Sequence, residues 1–279
     1  MRLFDTHFHF GGEATPLEFM AAVRDDLRLA LDKAGAADAG EAEIFVAAMG
    51  GDYLESLRAR EFCEVIPNSR FAAGVHPHNA EEYLKSPQDF SPLFEDPKLV
   101  AVGELGLDYF YELSDRAAQC RVFGEFLDLA LGRGLPVVVH LRDRDGAFDA
   151  YCDGLELLTP FAAKGGRFVV HCYAGNAEYL QRFLELGAYV GVTGMATFKA
   201  AENIRENLRG IPDDRLLIET DSPYLAPVPF RGRENTPGLV ALVAAAVAKV
   251  RGMELEALAA LTASNACNFY HLDEAEAFE

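Results

Sequence analysis

Short apolar runs recur along the chain, and the stretches between them have the residue spacing of amphipathic helices. The runs are rich in Val, Ile, Phe and Ala and nearly continuous, as expected for strands buried on both faces of a parallel sheet. About eight strands alternating with helices predict an α/β fold, the (β/α)8 barrel, with a doubly wound open sheet as the alternative. The predicted strands are residues 2–6, 43–49, 70–75, 99–103, 135–139, 167–170, 188–192 and 215–218.

The connections between these runs bear on the choice of fold and on domain organisation. No glycine-rich phosphate-binding sequence follows the first run, which counts against the open sheet. No linker or low-complexity tract divides the chain, so residues 1–279 are predicted to form a single domain. Residues 34–42 are expected to be a loop or a frayed helix end, and Gly134 is expected to end a helix. The predicted helices are residues 19–34, 116–132, 177–186 and 236–250.

Charge and cysteine content limit the classes of function. The formal net charge of −19 argues against a broad basic surface for duplex nucleic acid, although bound divalent ions and a few arginines can reverse the local potential. Five widely spaced cysteines without a CxxC pair indicate reduced thiols. Together with the absence of a signal peptide and of a membrane-spanning run, they predict a cytoplasmic protein with no membrane contact. No obligate protein partner is expected.

Residues able to bind metal stand at the carboxyl ends of the predicted strands. His7 and His9 are two positions apart on extended chain, so their side chains point the same way. In a (β/α)8 barrel the carboxyl ends of all strands form the active-site face, which would bring distant residues together. The alternatives are histidines satisfied by backbone carbonyls and a carboxylate paired with arginine. The residues at these ends are His7, His9, His76, His78, Glu104, His140, His171 and Asp221.

Six of these residues, four histidines and two carboxylates, are the predicted metal ligands: His7, His9, Glu104, His140, His171 and Asp221. Mixed nitrogen and oxygen donors suit Zn, Mn, Fe, Ni or Co, and Mg less well. Six donors are too many for one catalytic ion that keeps an open position, so two ions sharing a carboxylate fit better. His76 and His78 are assigned to substrate contact or transition-state stabilisation, with a structural role as the alternative.

Further residues are expected around the mouth of the barrel. Arg142, two positions after His140, is expected to grip a phosphate, unless it pairs with Asp143 or Asp145. Glu219 should point away from Asp221 and be structural. A predicted rim loop contains Arg231, Arg233 and Asn235, and Lys199 is a further candidate for substrate contact. Three tyrosines are expected either to stack on bases or to pack in the core: Tyr109, Tyr173 and Tyr224.

Short motifs covering nearly the whole chain resemble those of the TatD family of metal-dependent hydrolases, within the amidohydrolase superfamily. They occur in the family's order, so the resemblance is specific. Residues 16–43 are somewhat longer than usual, and the Met49-Gly-Gly-Asp52 turn matches loosely; both bear on substrate choice. The motifs are DTHFH (5–9), GVHPH (74–78), VGELGLDY (102–109), VVHLRD (138–143), VHCYAG (170–175), LLIETDSPYLAP (216–227), RGRENTP (231–237) and the closing helix SNACNFY (264–270).

The resemblance implies a (β/α)8 barrel with two divalent ions, such as Mg, Mn or Zn, and deoxyribonuclease activity, often 3′-to-5′ exonuclease activity. Carried over by motif, one ion would be held by His7, His9, Glu104 and Asp221. The other would be held by Glu104, His140 and His171, with Glu104 bridging the two.

On this basis we expect a two-metal phosphodiesterase that acts on DNA, single-stranded or at strand ends. Asp221 would be the general base, with Glu104, His76 and His78 also catalytic and Arg142 and Arg231 binding substrate. A carboxyl-ester, lactone or amide hydrolase on the same site is the main alternative, because fold does not determine function. A binding protein with a degenerate site is the third, and the complete ligand set counts against it.

Overall fold

Parallel strands arranged in chain order form the centre of the molecule, which is a computed structural model describing residues 1–36 and 42–274. In the described residues one eight-stranded sheet has the order β1 to β8, and each successive pair is parallel. The strands are β1 Arg2–Phe8, β2 Glu43–Ala48, β3 Ser69–Ala73, β4 Leu99–Asp108, β5 Val137–Arg142, β6 Phe168–Val170, β7 Tyr189–Val192 and β8 Leu216–Ile218.

The last strand returns to the first and closes the barrel. Phe8 and Ser222 form a parallel bridge just beyond β8. The His9 N–H donates to the Ser222 carbonyl at 2.7 Å, and the Asp221 N–H donates to the His7 carbonyl at 2.9 Å. The predicted (β/α)8 barrel is therefore confirmed, and the open-sheet alternative is wrong.

Helices alternate with the strands. Several begin a short loop after a strand with a side-chain cap, as at Thr15, Asp52, Asp115 and Asn176. Gly134 ends one helix in the left-handed conformation, as predicted. The helices are α1 Pro16–Lys33, α2 Tyr53–Val65, α3 Ala80–Lys85, α4 Ser91–Phe94, α5 Arg116–Arg133, α6 Asp149–Ala163, α7 Ala177–Glu185, α8 Glu202–Gly210, α9 Val240–Arg251 and α10 Leu255–Tyr270, with 3₁₀ turns at Pro77–Asn79, Gly194–Thr197, Asp213–Arg215 and Pro237–Leu239.

Three strands extend beyond their predicted ends: β1 continues to Phe8, and the longer extensions of β4 and β5 matter most for the site. β4 continues to Asp108 with all ten residues buried, so Glu104 lies inside the strand and not after it. β5 continues through His140 to Arg142. The two strands pair along this extension, with a register shift between Val102 and Leu105. Gly106, at φ +138°, permits the close approach, because a Cβ there would meet the His140 carbonyl oxygen.

The opposite end of the barrel is closed by α10. Inward-facing residues such as Phe4 and Val138 cluster with Phe269 and Tyr270, and the Tyr270 hydroxyl donates to the Thr6 carbonyl at 2.7 Å. The predicted closing helix at 264–270 lies within α10. The predicted loop at 34–42 lies partly outside the described residues. Among the described helices, none has the length and apolarity needed to cross a bilayer. The single-domain assignment stays a prediction.

Candidate metal centre

The six residues predicted as ligands converge at the carboxyl ends of the strands. Each stands at or just past the end of its strand, or, for Glu104 and His140, in the extension beyond its predicted end. Their side chains are buried or nearly so, the most exposed being 15% accessible. Buried ionisable groups in contact with one another need mutual compensation or a bound ion. The six are His7, His9, Glu104, His140, His171 and Asp221.

The first group of donors surrounds one oxygen of Glu104. The Nε2 atoms of His7 and His9 are 3.2 Å apart and lie 3.4 and 3.5 Å from Glu104 Oε2. Asp221 Oδ1 lies 3.6 and 3.7 Å from the same two nitrogens. Donors that bind one ion at about 2.1 Å are about 3.0–3.4 Å apart at octahedral to tetrahedral angles. These residues therefore fit a divalent ion with little rearrangement.

The second group surrounds the other oxygen of Glu104. Glu104 Oε1 lies 2.8 Å from His171 Nε2 and 2.9 Å from His140 Nδ1, and these two nitrogens are 3.4 Å apart. The carboxylate thus has one oxygen facing each group, which is the geometry that a bridging ligand requires.

The donors do not separate cleanly into the two sets carried over from the family. His171 also groups with His7 and Asp221, because the His171 ring stacks on the His7 ring with centroids 3.9 Å apart. His76 groups with Glu104 and His140, its Nε2 atom being 3.8 Å from Glu104 Oε1. His76 is therefore close enough to serve as a donor, whereas the sequence analysis assigned it to substrate contact or transition-state stabilisation, with a structural role as the alternative.

The carboxylates of the cluster are held ionised, whereas its histidines differ. Burial lowers the pKa of His7 and His76, but at His9, His140 and His171 the neighbouring carboxylates outweigh burial and raise the pKa. Burial raises the pKa of the Glu104 carboxyl, but the surrounding His171, His7 and His76 outweigh it, so its pKa lies well below the usual value. Burial also raises the pKa of Asp221, and a hydrogen bond to His9 lowers it overall. Burial holds the pKa of His76 well below its usual value. Ionised carboxylates and neutral imidazoles are the forms that bind metal.

A glycine turn after β2 supports the centre from one side. The Gly50 carbonyl accepts the Glu104 N–H, and the Gly51 carbonyl accepts the His76 N–H, both at 2.8 Å. A Cβ on Gly50 would meet the backbone of Ser56. The Met49-Gly-Gly-Asp52 turn therefore positions residues of the centre, and its predicted influence on substrate choice alone was too narrow.

Two carboxylates contact the centre that sequence reasoning did not assign. Glu55 Oε1 lies 2.8 Å from His9 Nδ1. Asp108 Oδ2 lies 3.0 Å from His78 Nε2 and 3.2 Å from His140 Nε2. Asp108 belongs to the VGELGLDY motif, and Glu55 is the third residue of a helix capped by Asp52. These positions were visible in the sequence, but their histidine partners were not.

A cavity of about 1550 Å³ opens above the centre. Arg142 lies over the rings of Phe110 and Tyr111, 4.3 and 4.8 Å from their centroids. In the described part of the chain no carboxylate lies within ion-pair distance of Arg142, so the expected alternative of a pair with Asp143 or Asp145 is not found. Arg231 lies over Phe198 on another part of the cavity wall, 4.1 Å from the ring centroid.

Other predicted rim residues are placed differently. Arg233 lines the cavity, but its guanidinium pairs with Asp26 at 2.7 Å. Asn235 is buried and donates to the carbonyls of Thr220 and Tyr224, so it is not a rim residue. Lys199 is exposed but is not part of the cavity wall described here. These three residues are therefore weaker candidates for substrate contact than Arg142 and Arg231.

The predicted stacking tyrosines divide between core and surface. Tyr109 is fully buried, and its hydroxyl donates to Asp153 at 2.7 Å. Tyr173 is 5% exposed and its hydroxyl donates to the Asn176 carbonyl. Neither can stack on a base, so the structure supports the alternative of core packing for both. Tyr224 is 62% exposed and its ring lies 6.2 Å from that of His9, so it remains a stacking candidate.

Glu219 lies beneath the centre, with its side chain turned from the cavity as alternation predicts. Its Oε1 atom accepts the Cys172 N–H and lies 3.4 Å from His171 Nδ1. The predicted structural role agrees with this placement. The residue that Glu219 contacts, His171, is itself one of the candidate metal ligands.

Comparison with known proteins gives a consistent family. Residues 4–271 match the family model described as TatD related DNase. The chain is 35% identical over 273 residues to an uncharacterized metal-dependent hydrolase, YcfH, of Escherichia coli strain K12, covering 98% of this chain and 97% of the relative. It is also 35% identical over 244 residues to the 3′-5′ ssDNA/RNA exonuclease TatD of Erwinia billingiae, covering 85% and 90%.

Solved structures agree with this match. The crystal structure of YjjV, a TatD homologue from Escherichia coli K12, superposes with a TM-score of 0.76 at 25% identity, covering 97% of this chain and 98% of that one.

Proposed function

The chain belongs to the TatD family of metal-dependent hydrolases, and we propose that it cleaves phosphodiester bonds of nucleic acid at a centre of two divalent ions. The observation that carries the proposal is the position of Glu104, with Oε2 facing His7 and His9 and Oε1 facing His140 and His171. A two-ion centre suits the in-line displacement of a phosphodiester because it stabilises both the attacking and the leaving oxygen.

The proposed ligands are His7, His9, Glu104 and Asp221 for one ion and Glu104, His140 and His171 for the other. Divalent ions held there supply Lewis acidity, which acidifies water and withdraws charge from phosphoryl oxygens. Asp221 acts as the general base. Its carboxylate is ionised and 15% exposed, so one face reaches the imidazoles while the other reaches the cavity, where it accepts a proton from water.

His76 and His78 complete the proposed catalytic set from the β3 side. Both line the cavity. His76 is held neutral by burial, which keeps its pKa well below the usual value; a neutral imidazole donates one hydrogen bond to a phosphoryl oxygen and costs less to bury than a cation. The ring of His78 is fixed by Asp108 at 3.0 Å and contributes a second polar edge at the mouth.

Substrate contact is proposed to be confined to the mouth. Arg142 and Arg231 supply positive charge there for phosphates, and the exposed rings of Tyr111 and Tyr224 supply surfaces for stacking bases. With a formal net charge of −19, the rest of the surface repels a long duplex. Single strands and strand ends are therefore the preferred substrates. The name of the Erwinia billingiae relative, a 3′-5′ ssDNA/RNA exonuclease, supports cleavage from a 3′ end.

A metal-dependent carboxyl-ester, lactone or amide hydrolase is the second candidate. It is favoured by the net charge and by the carboxylates of Asp143, Asp145 and Glu206 along the cavity wall, which disfavour a polyanion. Neutral esters or amides avoid that repulsion, and the same centre would serve them.

A substrate panel on metal-reconstituted protein separates the two candidates. The substrates are single-stranded DNA, duplex DNA, RNA and a small carboxyl ester, each with and without chelator. We expect chelator-sensitive cleavage of single strands that is lost in Asp221→Asn purified in parallel, which excludes a contaminating nuclease. Fast ester turnover with no cleavage of any nucleic acid would transfer the assignment to the second candidate.

A further inference from the structure

We propose that Glu55 and Asp108 are positioning residues that fix the tautomers of His9 and His140, one in each group of donors around Glu104. The proposal rests on the metal centre of the proposed function and is independent of the substrate. A neutral imidazole has one nitrogen that donates and one that accepts, and the partner of one nitrogen decides which is which. Carboxylates that accept from metal-binding histidines also orient the ring.

Glu55 sets the direction of His9. Its Oε1 atom lies 2.8 Å from His9 Nδ1, and its Oε2 atom accepts the Gly51 N–H at 2.7 Å. The Asp52 side chain, capping α2, accepts the Glu55 N–H. Because an ionised carboxylate only accepts, the hydrogen of His9 must lie on Nδ1. The lone pair is then on Nε2, which faces Glu104 Oε2 at 3.5 Å.

Asp108 does the same for His140 from the opposite side of the centre. Its Oδ2 atom lies 3.2 Å from His140 Nε2, and Oδ1 accepts the N–H groups of Phe110 and Tyr111 at 3.0 and 2.8 Å. When an ion is bound, Nδ1 carries no hydrogen, so the hydrogen of His140 lies on Nε2, where Asp108 accepts it. Nδ1 lies 2.9 Å from Glu104 Oε1, on the side of the ring where the ion would bind. The positions of Glu55 and Asp108 therefore explain why the proposed metal-binding atom is Nε2 in His9 but Nδ1 in His140.

Asp108 also connects the centre to the rim. The same carboxylate lies 3.0 Å from His78 Nε2 and accepts the backbone N–H groups of Phe110 and Tyr111. The guanidinium of Arg142 lies over the rings of these two residues. The side chain of Asp108 is 1% exposed, and both of its oxygens are within hydrogen-bond distance of partners, Oδ2 of the two histidines and Oδ1 of the two backbone N–H groups. It therefore acts as a fixed acceptor for the ligand, the second histidine and the substrate-facing loop together.

Amide substitutions distinguish tautomer control from simple packing. In Glu55→Gln, the amide oxygen keeps the Gly51 N–H, so the amide nitrogen faces His9 Nδ1 and donates to it. This stabilises the tautomer with hydrogen on Nε2, where the ion has to bind. Glu55→Ala removes the acceptor without imposing the wrong tautomer, and cavity water can replace it. Metal affinity should therefore fall further in Glu55→Gln than in Glu55→Ala, although glutamine is the closer match in size.

The experiment measures Co²⁺ and Zn²⁺ affinity of the full metal-free chain by competition with a chromophoric chelator, without substrate. His9→Ala and His140→Ala identify which part of the binding curve and Co²⁺ spectrum belongs to each group. Glu206→Gln is the matched control, because Glu206 lines the same cavity and no contact with histidine is found for it among residues 1–36 and 42–274. Long-range ¹⁵N NMR of histidine-labelled, Zn²⁺-loaded protein reads the tautomers directly.

We expect Glu55→Gln to weaken metal binding by the donor group of His9 about 10–100-fold. Asp108→Asn should weaken metal binding by the donor group of His140 by a similar factor, the usual scale for the loss of a carboxylate that orients a metal-binding histidine. Glu55→Ala should lose less, and Glu206→Gln should be near wild type. If Asp108→Asn does not fold, the proposal is tested by comparing the metal affinities of Glu55→Gln and Glu55→Ala, because Glu55 is partly exposed.

Three results would overturn the proposal: Glu55→Ala binding more weakly than Glu55→Gln, Glu206→Gln matching Glu55→Gln, or NMR showing hydrogen on His9 Nε2. Loss of phosphodiester cleavage with these affinities intact would count only against the proposed function.

Discussion

Two arginines at and just past the end of β5, Arg142 and Arg144, should respond differently to substitution. Arg142 lies over two aromatic rings with its charge unpaired among the described residues, whereas Arg144 donates to Glu112 at 2.9 Å. Both are exposed and both line the cavity. If nucleic acid is the substrate, Arg142 should bind a phosphate and Arg144 should not.

The salt dependence of binding follows from the number of phosphates engaged. Arg142 and Arg231 predict contact with about two phosphates, and the small mouth limits the number to about four, so log K should fall against log salt with a slope of about −1.4 to −2.8 for a single strand. Between 50 and 200 mM salt the affinity should then fall about sevenfold to fiftyfold. Arg142→Ala should make the slope shallower by about 0.7, and should weaken binding at low salt by up to about fivefold, the scale of an exposed ion pair.

Fluorescence anisotropy measures this with a 5′-labelled, single-stranded phosphorothioate oligonucleotide that resists cleavage, titrated with metal-loaded protein at several salt concentrations. Metal content is measured in parallel and should be unchanged in both variants. A wild-type slope steeper than about −4, or an equal loss of slope in Arg144→Ala and Arg142→Ala, would refute the confined contact at the mouth.

Four further expectations concern the centre and the substrate. Purified protein should bind up to two divalent ions per chain, and chelation should abolish hydrolysis; metal analysis that finds one tight, fully active site would rule out the two-ion form. Glu104→Gln should lower the occupancy of both ions, whereas His140→Ala should mainly empty one and His7→Ala the other; retention of both ions by Glu104→Gln at near-normal rate would exclude bridging. Asp221→Asn should keep at least part of the metal and lower the single-turnover rate by ~10²-fold or more, the scale of a lost general base. The control Asp143→Asn, which makes the same change in charge, should stay near the wild-type rate. If the rate of Asp221→Asn is within a few-fold of wild type, another group accepts the proton. End-labelled linear DNA should be degraded in preference to closed circular DNA of the same sequence, and efficient cleavage of closed circles would contradict feeding from strand ends.

Parts of this molecule could be predicted from local sequence because their determinants are local. Continuous apolar runs separated by helical spacing predicted a parallel barrel. Parallel strands bring their carboxyl ends to one face, so the histidines and carboxylates near those ends could be expected to meet. His7 and His9, two residues apart on one strand, needed only the alternation of side chains. The ends of β4 and β5 were missed because their extension depends on pairing with each other and not on their own composition.

The tertiary structure decided how each side chain at the mouth is used. Tyr109 and Tyr224 follow strand ends in the same way, yet one is fully buried and the other 62% exposed, because helix packing covers one loop and not the other. Glu55 and His9 are 46 residues apart, and Asp108 and His140 are 32 apart. No period of a strand or helix relates such positions. Only the folded loops bring them within hydrogen-bond distance, and a hydrogen bond falls off within fractions of an ångström, so these partners are determined by the tertiary fold.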